Sequence, residues 1–325
     1  GHKYCIDTAL QECDHVIVLA YHTNVIDIPL QVRAGWIRSH YDQEVRNARL
    51  NVIECWAGPD SYGYTDEIKR EHEEYVLDVL EQNGYTRDIV DAFYSSEPYG
   101  EHMSEALGAE DCRVDQNRES VPISATKIRE EGLYENRGMV PAKTYKGCVP
   151  RIAIVGGVST GKSTLARDLA EEYDTAYMPE YGDEFWREHE ENGQLTQKQL
   201  YRLAYEHTNR EDTKALDASN YLFVDTTPLT TMAWSKYYHG EVHDKLRSMA
   251  QYSSSVYDLH VLCWPDIPFE SEPGRDGPEN RKRLHRMHMD LMEEHNIDYV
   301  GVKGDREDRV EQVKTAILER DISPL

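Results

Sequence analysis

Gly156-Gly157-Val158-Ser159-Thr160-Gly161-Lys162-Ser163 follows the apolar run Ile152-Ala153-Ile154-Val155 and precedes a helical stretch over 164–173. Strand, glycine-rich loop and helix in that order form a cradle for a nucleoside triphosphate. Glycines let backbone N–H groups curl around phosphate oxygens, the lysine reaches the outer phosphates, and the serine hydroxyl stands at a helix N-terminus where it can ligate Mg²⁺. Gly156, Gly157, Ser159, Thr160, Gly161, Lys162, Ser163 and Thr164 are therefore read as nucleotide contacts, with ATP or GTP and Mg²⁺ as the implied ligands. A strand-to-helix turn without a ligand needs glycine but has no use for the Lys-Ser pair.

Outward from this loop, the second half continues to alternate. Strands are expected over 151–156, 176–178, 221–224, 259–264 and 299–302, with helices between them and a closing helix over 306–320. Tyr221-Leu222-Phe223-Val224 ends in Asp225, a carboxylate at the C-terminal edge of a sheet, suited to share Mg²⁺ with Ser163. Glu180, in Pro179-Glu180-Tyr181-Gly182, follows the next short strand and projects toward the same crevice, with Tyr181 beside it as a substrate contact. Either Glu180 or Asp225 could accept the proton of an attacking hydroxyl while the other supports the metal. The charged stretch Pro268 to Arg283 lies where a lid would close, and Arg275 is its favoured phosphate-facing cation.

The first half alternates too, with helices over 3–12, 29–41 and 65–83 and strands over 15–21, 48–55 and 89–94. A parallel sheet follows. The aperiodic stretch 136–150 contains Gly138, Pro141, Gly147 and Pro150, and separates domains at 1–145 and 150–325. The fold class is α/β, two tandem parallel-sheet domains.

A formal charge of −24, from 60 acidic against 36 basic residues, excludes a broad nucleic-acid footprint. Any phosphate must be met by local cations. No apolar run approaches the length of a membrane span, and no leader-like segment opens the chain, so a cytoplasmic enzyme is expected. The six cysteines are scattered without a CxxC pair and read as core thiols. His285 and His288, in Arg-Leu-His-Arg-Met-His, read as a charged, solvated helix face rather than a metal site.

Ile123-Ser124-Ala125-Thr126-Lys127-Ile128-Arg129 also opens a helix after a polar loop. Ser124 and Thr126 can cap backbone N–H groups or donate to phosphate, and Lys127 and Arg129 add positive charge. This segment resembles the ISxTxIR signature of the nucleotidyltransferase superfamily, and Gly1-His2 resembles the end of its (H/T)xGH signature. Glycine-histidine, Ser96-Glu97-Pro98-Tyr99-Gly100, Val114-Asp115-Gln116-Asn117-Arg118, ISATKIR, the phosphate loop, Glu180-Tyr181-Gly182 and Phe223-Val224-Asp225-Thr226 follow in that order. The series resembles the NadR-type bifunctional family, a nicotinamide-mononucleotide adenylyltransferase fused to a ribosylnicotinamide kinase.

The resemblance implies ribosylnicotinamide, nicotinamide mononucleotide and ATP as small-molecule partners, and leaves room for a homo-oligomer. It further implies that His2 and Arg129 stabilise charge at the α-phosphate, and that Arg33 and Trp36 approach the nicotinamide. A core tryptophan on an amphipathic helix is the alternative for Trp36. The family's first strand and glycine-rich turn are expected ahead of Gly1, so the first domain is read as lacking its first strand. In the lid, Phe269 and Glu272-Pro273 depart from the family's usual Trp and Asp-Gly. Some relatives carry a helix-turn-helix, and no such module is read here. The competing reading is a phosphate-loop ATPase or GTPase regulator with a nicotinamide-nucleotide-sensing domain. The second half contains no guanine-reading Asn-Lys-x-Asp stretch, which weighs against the GTPase version.

Overall fold

The computed structural model describes residues 1–23, 28–61, 63–253, 255–270 and 277–323. The chain divides into two compact units, Gly1–Gly132 and Leu133–Leu325.

In the first unit, strands β1 (Val16–Tyr21) and β2 (Leu50–Cys55) pair in parallel, Val16 opposite Leu50, and β3 (Ala92–Ser95) and β4 (Glu110–Arg113) pair in parallel, Ala92 opposite Glu110. Alternation along β1 and β3 sends side chains to two apolar layers. Val16, Val18, Ala20 and Tyr94 pack with Ile6 and Ala9 of the helix His2–Glu12 and with Leu30 and Ala34 of the helix Leu30–His40. Ile17, Leu19, Tyr21 and Phe93 pack on the other face with Val76 and Leu80 of the helix Asp66–Gln82 and with Met103 and Leu107 of the helix Gly100–Leu107. Helices on both faces of parallel strands make the α/β layering expected from the alternation. Sequence reading missed the helix Gly100–Leu107 and β4. Glu-Asp-Cys-Arg carries no apolar period, and its strand pairing comes from β3.

The second unit is a five-stranded parallel sheet: β5 (Arg151–Val155), β6 (Tyr177–Met178), β7 (Leu222–Asp225), β8 (Leu259–Cys263) and β9 (Tyr299–Val302), in the spatial order β6-β7-β5-β8-β9. All five residues of β5 are buried, as a central parallel strand covered on both faces must be. Ile154 pairs with Asp225 on one side and with Val261 on the other, so β7, β5 and β8 end within two residues of one another. From β5 the chain builds first toward β6 and β7 and then crosses to β8. That reversal opens a crevice at the carboxyl edge, where ligands of open α/β sheets bind.

The boundary differs from the one read from glycines and prolines. Residues 133–145, assigned above to the first domain, fall in the second unit. The helix Ala142–Cys148 is tied there by Tyr145 Oη donating to Ala218 O and by Lys146 pairing with Asp212. Asp212 in turn accepts from Arg151 at 2.9 Å, and Arg151 donates to the fully buried Glu211 at 2.7 Å. Tyr257 Oη donates to the other Glu211 oxygen at 2.8 Å. Long-range ion pairing outweighs the local breakers. No helix among the described residues is long and apolar enough to cross a membrane.

Candidate nucleotide site

The phosphate loop occupies the end of β5, and two of its glycines are required by close approach rather than by turn chemistry alone. A Cβ on Gly156 would lie 2.8 Å from Cys263 O, and one on Gly157 would lie 2.7 Å from Arg281 O. Both contacts are to backbone, which cannot swing away. Ser159 takes a left-handed φ of 53°, and Gly161, at φ 83°, opens the helix Lys162–Glu172 without a side-chain cap. The first-turn N–H groups thus stay available to an anion.

Within the loop, Thr160 Oγ1 donates to Gly157 O at 2.9 Å and the buried Lys162 Nζ donates to the same oxygen at 3.1 Å. Ser159 Oγ accepts from Glu270 N at 2.9 Å. Ser163 is exposed on the first helical turn, with Thr164 half-buried behind it. Arg309 braces the loop from the closing helix Arg306–Glu319. Its guanidinium donates to Thr160 O at 2.5 Å, to Gly304 O at 3.0 Å, to Trp264 O at 3.2 Å and to Asp266 at 2.6 Å. Sequence reading missed Arg309, whose arginine signal lies 149 residues from the carbonyl it holds.

Asp225 ends β7, fully buried. The chain then turns sharply: Thr226 has φ 72° and donates its N–H to Ile154 O at 3.1 Å. Thr227, 2 % exposed, begins the helix Pro228–His239, and its Oγ1 has no hydrogen-bond partner among the described residues. Burial pushes the Cys263 thiol up to about 12, and Arg309, Lys162, Asp225 and Asp266 all act on it electrostatically, so these four charges converge at the end of β8. No group of three or more His, Cys, Asp or Glu positioned to hold a metal occurs among the described residues. The donors at this edge are instead single oxygens, the exposed Ser163 hydroxyl and the buried Asp225 carboxylate. They fit a hard cation that takes its remaining ligands from phosphate and water.

Glu180 is half-buried just after β6, and Gly182 opens the helix Gly182–His189. Tyr181 is buried, donates from Oη to Glu206 at 2.9 Å, and lies under the Arg210 guanidinium at 3.6 Å. Arg275 lies outside the described residues, as do Glu272 and Pro273. His285 and His288 correct the reading of a solvated face. They are 5 % and 1 % exposed, because that face of the helix Pro278–Glu294 covers the phosphate loop and the helix Pro228–His239.

In the first unit, Arg118 joins three of the motif segments. It donates from Nη1 to Ile123 O at 2.7 Å and from Nη2 to Glu97 at 2.5 Å, and a Cβ on Gly1 would meet its Nη1 at 3.7 Å. His2 stands at the first turn of its helix, where loss of surrounding water pulls its imidazole below the ordinary value, the chain's amino terminus and Arg118 act in the same direction, and Glu97 opposes them. Arg118 was quoted with its motif but given no role. Two backbone N–H groups, Ser120 at 2.9 Å and Val121 at 2.7 Å, cap Asp115 and hold its carboxyl below the usual range.

Ser124 caps the seven-residue helix Ala125–Glu131 by accepting from Lys127 N at 3.0 Å. Arg129 donates to Thr126 Oγ1 at 3.2 Å, and Lys127 stands 3.9 Å from Glu131. Arg33 donates to Ile28 O at 3.1 Å, and Trp36 is half-buried on the same helix. A hollow at the carboxyl ends of β1 and β2 is lined by His22, Trp56, Ala57, Gly58 and Asp60. Trp56, 47 % exposed, was not singled out from the sequence.

Residues 151–309 match the family described as "AAA domain", which spans β5 to the Arg309 brace. The Trifunctional NAD biosynthesis/regulator protein NadR of Escherichia coli (strain K12) is 28% identical over 228 residues, 69% of this chain and 54% of that protein. Its counterpart in Salmonella typhimurium is 28% identical over 215 residues, 65% of this chain and 52% of that protein. Both similarities run through the phosphate-loop unit and beyond it, so the chain is similar to NadR proteins over about two thirds of its length. It spans about half the length of the curated relatives it matches. The crystal structure of NadR protein in complex with NR superposes on this chain with a TM-score of 0.58 at 19% identity, covering 98% of this chain and 92% of that one. That likeness extends the shared fold through both units.

Proposed function

We propose that the second unit transfers a phosphoryl group from ATP to the ribose hydroxyl of ribosylnicotinamide, and that the first unit transfers the adenylyl group of ATP to nicotinamide mononucleotide. The observation that carries the kinase reading is the meeting of an uncapped, glycine-lined helix start with Lys162 and the buried Asp225 at one sheet edge.

In the kinase reaction, the backbone N–H groups of the loop and Lys162 hold the β- and γ-phosphates. To do so, Lys162 Nζ leaves Gly157 O for phosphate oxygen. Ser163 and Asp225 would hold Mg²⁺, which supplies charge neutralisation between the phosphates. Asp225 takes this role because its strand lies in register with β5 beside the loop, whereas Glu180 stands one strand further out and half-exposed, where an incoming alcohol can reach it. Glu180 accepts the hydroxyl proton, the hydroxyl oxygen bonds to the γ-phosphorus, and the bond to the β–γ bridging oxygen breaks to release ADP.

In the transferase reaction, a phosphate oxygen of the mononucleotide attacks the α-phosphorus and pyrophosphate leaves. His2 and Arg129 stabilise the charge that builds there, and Arg118 positions the segments that carry them. Both reactions take place in solution, and the ligands are small molecules. Incubation with ribosylnicotinamide, ATP and Mg²⁺ should yield nicotinamide mononucleotide and ADP in equal amounts. ATP hydrolysis without mononucleotide would instead support the nucleotide-switch reading.

A further inference from the structure

The helix Pro278–Glu294 lies directly on the phosphate loop: a Cβ on Gly157 would come within 2.7 Å of Arg281 O and 3.3 Å of His285 N. Arg281 is 5 % exposed, yet its Nε and Nη2 have no hydrogen-bond partner among the described residues. Its neighbour Arg309 is equally buried, but each of its nitrogens is matched by Thr160 O, Gly304 O, Trp264 O or Asp266. The charges acting on Arg281 are Arg309, which weakens its hold on its proton after burial has done so, and Asp266, which opposes. Arg309 and Asp266 are paired at 2.6 Å and Arg309 holds Thr160 O, so the charges that reach the buried Arg281 guanidinium belong to groups at the loop.

A guanidinium taken out of water without acceptors is among the costlier features a folded chain can keep. An apolar side chain of similar length would pack there without that penalty. In a chain of net charge −24, a cluster of Lys162, Arg281 and Arg309 around one glycine loop is also against the general trend. An arriving polyanion accounts for both facts, because its oxygens supply the missing acceptors.

We infer that Arg281 is a phosphate-binding residue of the nucleotide site, its Nε–H and Nη2–H donating as a fork to phosphate oxygens of the triphosphate on the loop 156–163. This rests on the reading that the loop holds ATP. Held in a helix packed against the loop, the guanidinium is in place before nucleotide arrives and costs no ordering when it binds.

The test uses the whole chain and compares wild type with Arg281→Met and Arg281→Lys, by thermal unfolding with and without ATP and Mg²⁺ and by direct titration with ATP and with adenosine. Arg281→Met should melt at or above the wild-type temperature without nucleotide, because an uncompensated buried cation is gone. Its ATP affinity should fall by about 10- to 100-fold, the range for hydrogen bonds to charged groups, with adenosine affinity unchanged. Arg281→Lys should fall between, since it keeps charge and loses the fork.

Unchanged ATP affinity in Arg281→Met would overturn the assignment. So would a lowered melting temperature with ATP and adenosine weakened together, which marks a packing role. Wild type that fails to bind ATP at all would sink the kinase reading itself, an outcome distinct from the others.

Discussion

The groups we propose to meet phosphate are built differently in the two units. In the second, the receiving groups are backbone N–H groups and cations built into the fold. Lys162 is buried, Arg309 ties the loop to the closing helix, and the glycines are pinned against Cys263 and Arg281 backbone. In the first, Lys127 and Arg129 sit on an exposed seven-residue helix and interact mostly with their own helix, while Arg118 links separate segments. A backbone-built site is stiff and recognisable from sequence, because only glycine permits its geometry. A side-chain-built site depends on a scaffold of capped turns, and its key arginine carries no spacing signature.

The comparison breaks most readily at Lys162. Lys162→Ala should lower kinase turnover by about 10²- to 10³-fold, the usual loss for a preorganised charge at a reacting phosphoryl group, and leave adenylyl transfer intact. If both activities fell in a folded variant, the two units would not be separate sites.

An effect of comparable size, on stability rather than turnover, is expected from Glu211→Ala, which removes the fully buried partner of Arg151 and should cost about 3–5 kcal/mol. Denaturant unfolding would register this loss in the second unit alone.

Acid separates the units more gently. Burial pushes His207, His260 and His288 down to about 4, so they stay neutral in the folded second unit. Below their ordinary value of about 6.5 the unfolded chain takes up protons that the folded chain refuses. Stability of the second unit should therefore decline as pH falls from about 6.5 toward 4 and rise on return. Among the described residues of the first unit only His2 is held below its ordinary value by loss of water, against His207, His260 and His288 in the second, so the first unit's transition should shift less. Unfolding temperature against pH, followed by probes in each unit, would measure the difference.

The smallest expected effect is at Arg118. Arg118→Lys keeps a charge but cannot bridge Ile123 O and Glu97 together, and should cost about 1–2 kcal/mol locally. Amide exchange at 115–125 should quicken, with kinase activity unchanged.

Much of this was legible beforehand. The strand–loop–helix at 151–173, the carboxylate ending β7 and the alternation in both halves follow from periodicity and glycine spacing. The helix Asp244–Ser253, β4 and the helix Gly100–Leu107 were not, since their patterns are short or polar and their stability comes from neighbours. The domain boundary was misplaced for a related reason: Gly138, Pro141 and Gly147 disrupt local order, but Tyr145 and Lys146 bind their helix to distant partners.

What the amino-acid order determined by itself was therefore the set of local conformations, including the glycine turn that only a residue without Cβ can make against Cys263 and Arg281 backbone. Tertiary structure alone decided which charges meet there. His285 and Arg281 look like a solvated helix face in one dimension, and are buried because that helix covers the loop. Arg309 reaches Thr160 across 149 residues for the same reason. Side-chain electrostatics depend on distance in space and on exclusion of water, and neither is written in the spacing of residues along the chain.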